Sequence, residues 1–178
     1  MKLTLWRLMP LVLFTLLIGF FWRGLSLDPQ TLPSAQLGKP LPKFQLPALG
    51  EPEGLFKSSS LHGHIALLNV WASWCAACTE EQVLLLQLAQ KGVMIYGLNY
   101  KDATNDATAW LTEWGNPYQM VGQDFKGTVG IDLGVYGAPE TFLIDKTGVI
   151  RYRHAGVLTT YVWKHDFLPR IRVLEKTT

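Results

Sequence analysis

Two cysteines are all that this chain of 178 residues contains. That scarcity excludes a small fold stapled by many bridges in place of a core. Charge is scarce and balanced: 16 Lys and Arg face 14 acidic residues, for a formal net charge of +2. No basic run is long enough to suggest nucleic-acid binding, and no acidic tail stands out. Internal repeats and low-complexity tracts are missing, which excludes a solenoid and a compositionally disordered chain. Apolar residues are plentiful instead, at 48% with 12% aromatic. A real core can therefore form, and the length fits one ordinary domain plus something extra.

The N-terminus supplies the extra part. Lys2 and Arg7 precede an apolar run from Leu8 to Trp22. At about 15 residues the run is short for a spanning helix, and longer if Leu3, Leu5 and Trp6 contribute. A secretory signal would show small residues at its cleavage site. Phe20, Phe21, Trp22 and Arg23 stand there instead. We expect residues 1–25 to be an uncleaved signal-anchor with a cytoplasmic N-terminus. A cleaved signal is the alternative and leads to the same compartment without the tether. Residues 26–37, with Pro29, Pro33 and several polar side chains, are expected to be a linker that continues loosely through Gly38 toward Pro42.

Residues 38–174 are expected to form a single α/β domain. The stretch 42–49 suits an edge, because prolines interrupt it. His64 to Ser73 is a nearly continuous apolar run that predicts a buried central strand. A helix is expected from Ala76 to Gln90, stopped at Lys91-Gly92, and a strand from Val93 to Tyr100. Asp102 to Gly115 predicts a helix capped by Thr104 or Asn105. A short helix is expected at 128–133, and two strands, 140–145 and 149–156, joined by a Gly-containing turn. A last helix is expected from about Thr160 to Leu174. Alternating early units imply parallel strands with helices on both faces, and the late hairpin adds an antiparallel edge.

Both cysteines fall in "WASWCAACTEE", as Cys75 and Cys78. A C-x-x-C that ends a buried strand and opens a helix places its first thiol at a helix N-terminus. Free N–H groups and the macrodipole stabilise a thiolate there. Cys75 is the candidate exposed nucleophile and Cys78 the candidate buried resolving thiol, with Trp71 and Trp74 packed around them. A purely structural disulfide would close only a tiny loop and restrain the unfolded chain little. A zinc site would have to recruit His62 and His64, but the intervening strand separates them from the cysteines by roughly 20 Å at ~3.3 Å per residue. Those histidines read as exposed loop residues, and no metal is expected. A redox pair is the reading that suits the neighbourhood best.

"NVWASWCAAC" resembles the active-site strand and helix start of the thioredoxin-fold oxidoreductases. "GLNYKDATNDATAWLTEWGNPY", "DLGVYGAPETFLID" and "IRYRHAG" extend the resemblance. They are similar to the membrane-tethered periplasmic thiol:disulfide interchange proteins of cytochrome c biogenesis, the DsbE or CcmG type. The resemblance covers almost the whole chain and implies a thioredoxin-like fold, a central mixed sheet flanked by helices. It implies a protein-disulfide reductase that uses no cofactor. Its donor would be a DsbD-type transmembrane thiol reductant. Its acceptor would be the haem-attachment cysteines of apocytochrome c, directly or through another maturation protein. The location implied is the inner membrane, single-pass, with the catalytic domain in the periplasm.

The resemblance also implies that Pro139 is a cis-proline facing the cysteine pair. There it would present the backbone of Ala138 to an extended substrate. Glu140 follows, and a glutamate opening a buried strand is costly unless it has work to do or reaches solvent. Asn69 stands where many thioredoxins keep a buried aspartate, and an amide takes no proton from Cys78. Glu140 is therefore expected either to tune the cysteines and carry a proton for Cys78, or only to hydrogen-bond its own loop. Ala76-Ala77 departs from relatives that carry proline in the central dipeptide. Thr79, Glu80 and Glu81 read as a solvated capping turn. Asn99 to Asp102 ends a strand on the cysteine side, where it would shape the site, form a docking surface or simply pack. A haem-ligand role for His154 is set aside, since a histidine in a hairpin strand suits a structural role. Other functions stay open: a general periplasmic oxidase or isomerase, and an apocytochrome-binding module without essential redox activity. "LGKPLPKFQLPAL" resembles peroxiredoxin openings, but those enzymes do not use W-C-x-x-C.

Overall fold

The computed structural model describes residues 2–25, 36–51 and 53–176. Two compact units emerge, Met1–Leu32 and Pro33–Thr178. The first is a helix, α1 (Lys2–Leu25), 24 residues long with Pro10 inside it. At 1.5 Å per residue it runs about 36 Å. Leu11, Phe14, Phe20 and Trp22 on it are exposed. Among the described residues, no helix is long and apolar enough to cross a membrane. Most of the expected linker, 26–35, lies outside the described residues.

The second unit is built on β3 (Ala66–Trp71), whose six residues are all buried. It pairs in parallel with β4 (Met94–Tyr100), and β4 in parallel with β5 (Val121–Asp124). On its other side β3 pairs antiparallel with β6 (Glu140–Ile144), and β6 antiparallel with β7 (Ile150–Ala155). The order β5-β4-β3-β6-β7 places the most apolar strand in the middle. A separate antiparallel pair, β1 (Gln45–Pro47) and β2 (Leu55–Lys57), precedes it.

Alternation along β3 feeds two cores. Leu68 and Val70 join Leu98, Phe142 and Ile144 on one face. Phe56 of β2 and Val129 and Leu133 of α4 (Thr128–Leu133) cover that face. Leu67 and Trp71 face the other way, with Ile95 and Leu143. Leu85 and Leu88 of α2 (Ala76–Gln90) and Ala107 and Trp110 of α3 (Thr104–Trp114) pack there, with Trp163 and Phe167 near the C-terminus.

Both sheet edges are covered. Leu49 N–H donates to Val121 O at 2.9 Å, and Ala48 bridges Gly122, so the chain beyond β1 lies along β5. At the opposite edge, Gly38 N–H donates to Ile150 O at 2.8 Å and Ile150 N–H to Lys39 O at 3.0 Å. Residues 38–41 are thus ordered against β7, although composition alone suggested loose linker as far as Pro42. Covering an edge removes a template for pairing with other chains.

The helices at 76–90 and 128–133 have the expected bounds. Three features differ from expectation. β2 and β5 are strands that the sequence hid, since each is very short and β5 carries Gln123 and Asp124. α3 is capped at Ala103 without a side-chain bond, and Thr104 and Asn105 lie inside its first turn. The last helix is not uniform. It runs as α5 (Thr160–Val162), a π-helical turn (Trp163–Phe167) and α6 (Leu168–Lys176). Pro169 has no N–H to return to His165, which helps explain a wider turn just before it.

A Cβ on Gly122 would run into Phe56 Cδ1 and lie 3.1 Å from Leu46 Cδ1. Gly122→Ala is therefore expected to destabilise the domain by about 1–3 kcal/mol. Urea unfolding should show a lower midpoint at unchanged slope. An unchanged midpoint would mean that β2 does not press on β5 in this way.

Candidate functional site

β3 leaves the core at Trp71, and the chain turns before α2 begins. Cys75 N–H donates to Ala72 O at 3.2 Å, which closes that turn. Cys75 is the N-cap of α2, with φ −89° and ψ 97°, and its sulfur accepts from Cys78 N–H at 3.2 Å. The local fold thus brings a first-turn N–H, which also donates to Cys75 O at 3.1 Å, onto the first sulfur. The two sulfurs are bonded at 2.13 Å. Cys75 keeps 5% of its surface and Cys78 1%, so both are buried and Cys75 is the more open.

The tryptophans divide. Trp71 is fully buried, stacked on Tyr118 at 5.6 Å and 5.0 Å from the Trp110 ring. It is part of the core beneath the pair. Trp74 is exposed, and its indole N–H donates to Lys101 O at 3.0 Å. The Ala138–Pro139 bond is cis, and Ala138 packs against the cluster that holds both cysteines.

Glu140 lies elsewhere. Strand alternation puts it with Phe142 and Ile144, on the face away from the cysteine cluster. Its Oε1 accepts from Tyr136 N–H at 2.7 Å, and its Oε2 pairs with Arg153 Nη2 at 2.7 Å and accepts from Nε at 2.8 Å. The Arg153 guanidinium lies 4.5 Å from the centroid of the exposed Tyr136 ring. Of the two expectations for Glu140, the geometry matches the holding of its own loop.

The acid on the cysteine face is Glu81, which is 1% exposed. The solvated turn read from the sequence is correct for Glu80 and wrong for Glu81. Three residues after Cys78, Glu81 shares the inward stripe of α2 with Cys78, Leu85 and Leu88. Asn69 Nδ2 donates to Glu81 Oε1 at 2.7 Å, and Leu158 N–H to Oε2 at 2.6 Å. Tyr118 O–H donates to Asn69 Oδ1 at 2.8 Å, and Asn69 also reaches Thr141 Oγ1 at 3.1 Å. Burial raises the Glu81 carboxyl to about 7, and its two hydrogen bonds only partly oppose this. Burial, then the nearby Glu81 charge, pushes Tyr118 well above its ordinary value. The helical spacing from Cys78 was the signal that could have found Glu81.

Next to the turn, the Asp102 carboxylate accepts from Ser73 N–H at 2.6 Å and Ser73 Oγ at 2.7 Å. Among the described residues, no group of three or more His, Cys, Asp or Glu is placed to hold a metal. His64 instead meets Tyr96, its Nε2 3.0 Å from the hydroxyl.

This arrangement, a bonded cysteine pair on a helix N-terminus above a buried acid, can exchange disulfides. The Redoxin family model matches residues 36–166. A thiol:disulfide interchange protein DsbE from Pseudomonas aeruginosa is 49% identical over 91% of this chain and 90% of its own length. The chain belongs to the DsbE family of thiol:disulfide interchange proteins. The DsbE of Escherichia coli K12 is 46% identical over 91% of each chain. A Chlorobium tepidum protein assigned to DsbE superposes with a TM-score of 0.60 at 28% identity, covering 80% of this chain and 97% of its own. A secreted thiol-disulfide isomerase of Corynebacterium glutamicum gives a TM-score of 0.67 at 21% identity, over 82% of this chain and 96% of its own, and shares the fold. This DsbE-family chain is a thiol-disulfide oxidoreductase with the thioredoxin-like mixed sheet that the sequence led us to expect.

A raised Glu81 means that the folded, oxidised protein holds this proton more tightly than the unfolded chain. The stability it contributes is full below about 4.5 and is lost as the pH rises to about 7. Urea unfolding at a series of pH values should show a loss of roughly 3 kcal/mol across that window. Glu81→Gln should flatten the slope, and a flat wild-type profile would contradict the raised value.

Proposed function

We propose that this DsbE-family protein is a membrane-tethered periplasmic reductant for cytochrome c maturation. The observation that carries the reading is the Cys75 sulfur at the N-cap of α2, bonded to a more deeply buried Cys78. In the reduced protein the Cys75 thiolate attacks a substrate disulfide. One substrate sulfur leaves as a thiolate, and a mixed disulfide forms. Cys78 loses its proton and attacks the Cys75 sulfur. The second substrate thiolate leaves, and the Cys75–Cys78 bond re-forms. Two electrons pass from the pair to the substrate. Glu81, one helical turn beyond Cys78, is our candidate acceptor for the Cys78 proton, since its carboxyl is poised near neutrality. Trp74, Pro139 and Glu140 support the site: Trp74 as an exposed wall, Pro139 and Ala138 as the segment beside the pair, Glu140 by fastening residues 136–137.

The substrate we propose is the oxidised C-x-x-C-H of apocytochrome c, or a maturation partner that receives the electrons first. Thioether attachment of haem needs free thiols, which an oxidising compartment removes. Re-reduction then falls to a DsbD-type transmembrane donor. We propose that residues 1–25 remain as the inner-membrane anchor, on the strength of the Leu8–Trp22 composition and the preceding Lys2 and Arg7. Residues 26–37 would be the spacer, and the tether would raise the effective concentration of partners. A general periplasmic oxidase uses the same two sulfurs with electrons flowing the other way, and an isomerase uses them with no net transfer. An apocytochrome-binding module would need neither sulfur.

Equilibration of the Cys75–Cys78 pair against glutathione decides the direction. A potential toward that of thioredoxin, near about −270 mV, supports the reductant, and one near about −120 mV would require the oxidase reading. Cys78→Ser should trap a mixed disulfide with a peptide carrying an oxidised C-x-x-C-H. Cys75→Ser should form none. Full maturation activity in either variant would instead favour the binding module.

A further inference from the structure

Asp102 carries more hydrogen bonds than a helix cap requires. It precedes α3 and accepts from Ala103 N–H at 2.9 Å, a local contact with the next residue. Its other three bonds leave α3. Ser73 donates both its N–H and its hydroxyl, and Asn99 Nδ2 donates at 2.8 Å to the same Oδ2 that takes the Ser73 N–H. Four donors from the β3–α2 turn, the end of β4 and the start of α3 thus meet on one carboxylate that is 9% exposed.

The residue beside it grips the same turn. Lys101 has φ +49°, the one described non-glycine residue in the left-handed region. That conformation costs a residue with a Cβ about 1–2 kcal/mol. It is held by Lys101 N–H donating to Asp124 O at 3.0 Å, and it leaves the Lys101 carbonyl accepting the Trp74 indole N–H. Ser73 and Trp74, the two residues before Cys75, are therefore both tied to the β4–α3 junction.

We infer that Asp102 is a positioning residue of the redox centre: it fixes the Ala72–Cys75 turn so that the Cys75 sulfur stays against the first N–H groups of α2. The inference rests on the thiol–disulfide reading above. Ser73 lies outside the ring that the disulfide closes, so holding it does not itself bring the sulfurs together. What the clamp sets is the placement of a free thiolate at the helix end, where Cys78 N–H and the dipole stabilise it. Loosening the turn withdraws that stabilisation from the reduced protein and leaves the oxidised one largely untouched. The disulfide then becomes harder to reduce and the Cys75 thiol less reactive.

The test compares wild type, Asp102→Asn, Ser73→Ala and Ser73→Thr. Each is equilibrated against glutathione and, once reduced, alkylated with iodoacetamide at neutral pH, with thermal melting to confirm folding. An amide offers one acceptor oxygen and turns an NH2 group toward donors. Asp102→Asn should slow Cys75 alkylation about fivefold and lower the reduction equilibrium constant by a similar factor, about 20 mV more negative. Ser73→Ala should move both in the same direction by less, and Ser73→Thr, which keeps the hydroxyl, should restore them. Folded Asp102→Asn with wild-type potential and alkylation rate would overturn the inference. Where Asp102→Asn does not fold, wild-type values in Ser73→Ala overturn it. A wild-type pair that exchanges nothing with glutathione would overturn the proposed function as well.

Discussion

The burial of β3 on both faces is the constraint on which the rest of the site depends. A strand with apolar side chains on each face must have layers above and below it. α2, α3 and the C-terminal helix supply one layer, and α4 with β2 supplies the other. The chain can shed this burial only where β3 ends. The candidate site residues therefore gather at that end: Cys75 after β3, Lys101 and Asp102 after β4, Pro139 before the antiparallel β6. Open α/β sheets commonly place their sites beyond the carboxyl ends of the parallel strands for the same reason.

The same burial dictates how polar groups are handled. A buried carboxyl is costly unless donors meet it, and the two buried glutamates near this end are met differently. Glu140 receives a guanidinium and a backbone N–H, so its charge is balanced within an ion pair. Glu81 receives an amide and a backbone N–H and, among the described residues, no ion-pair partner, so burial dominates and its carboxyl is pushed up. A paired carboxylate of this kind fastens its own loop. An unbalanced one near neutrality can change state while the sulfurs change theirs. The face of the sheet on which each acid sits thus separates a carboxylate paired with Arg153 from one raised by burial beside the cysteine cluster.

Much of this was legible in the residues. The apolar run at 64–73 identified the central strand, and Lys91-Gly92 marked the end of α2, because long periodic segments ending in glycine leave few alternatives. "WCAAC" after a buried strand announced the chemistry. β5 stayed hidden since four residues with Gln123 and Asp124 show no strand pattern, and only pairing with β4 defines them. The π-helical turn at 163–167 has no compositional mark except Pro169 downstream. Glu81 was misread for a different reason. Acidic residues in a first turn are so commonly solvated that the helical stripe through Cys78, Leu85 and Leu88 was the weaker prior, although it was the correct one. Glu140 was read as costly unless it had work to do or reached solvent; it is buried, its partner lies on another strand, and Arg153 acquires meaning only through the β6–β7 register.

Asn69 shows why the two acids have to be considered together. Its position on β3 faces the cysteine core, and its amide donates to Glu81 while accepting from Tyr118. An aspartate there would set a second carboxylate against Glu81, a like-charge contact inside a core with no cation to offset it. An amide connects the Tyr118 hydroxyl to the Glu81 carboxyl without adding charge. The buried acid on this face thus sits on the helix that carries the cysteines, with an amide on the strand beside it. In that place it lies three residues after Cys78 on α2 and is still tied to the sheet through Asn69.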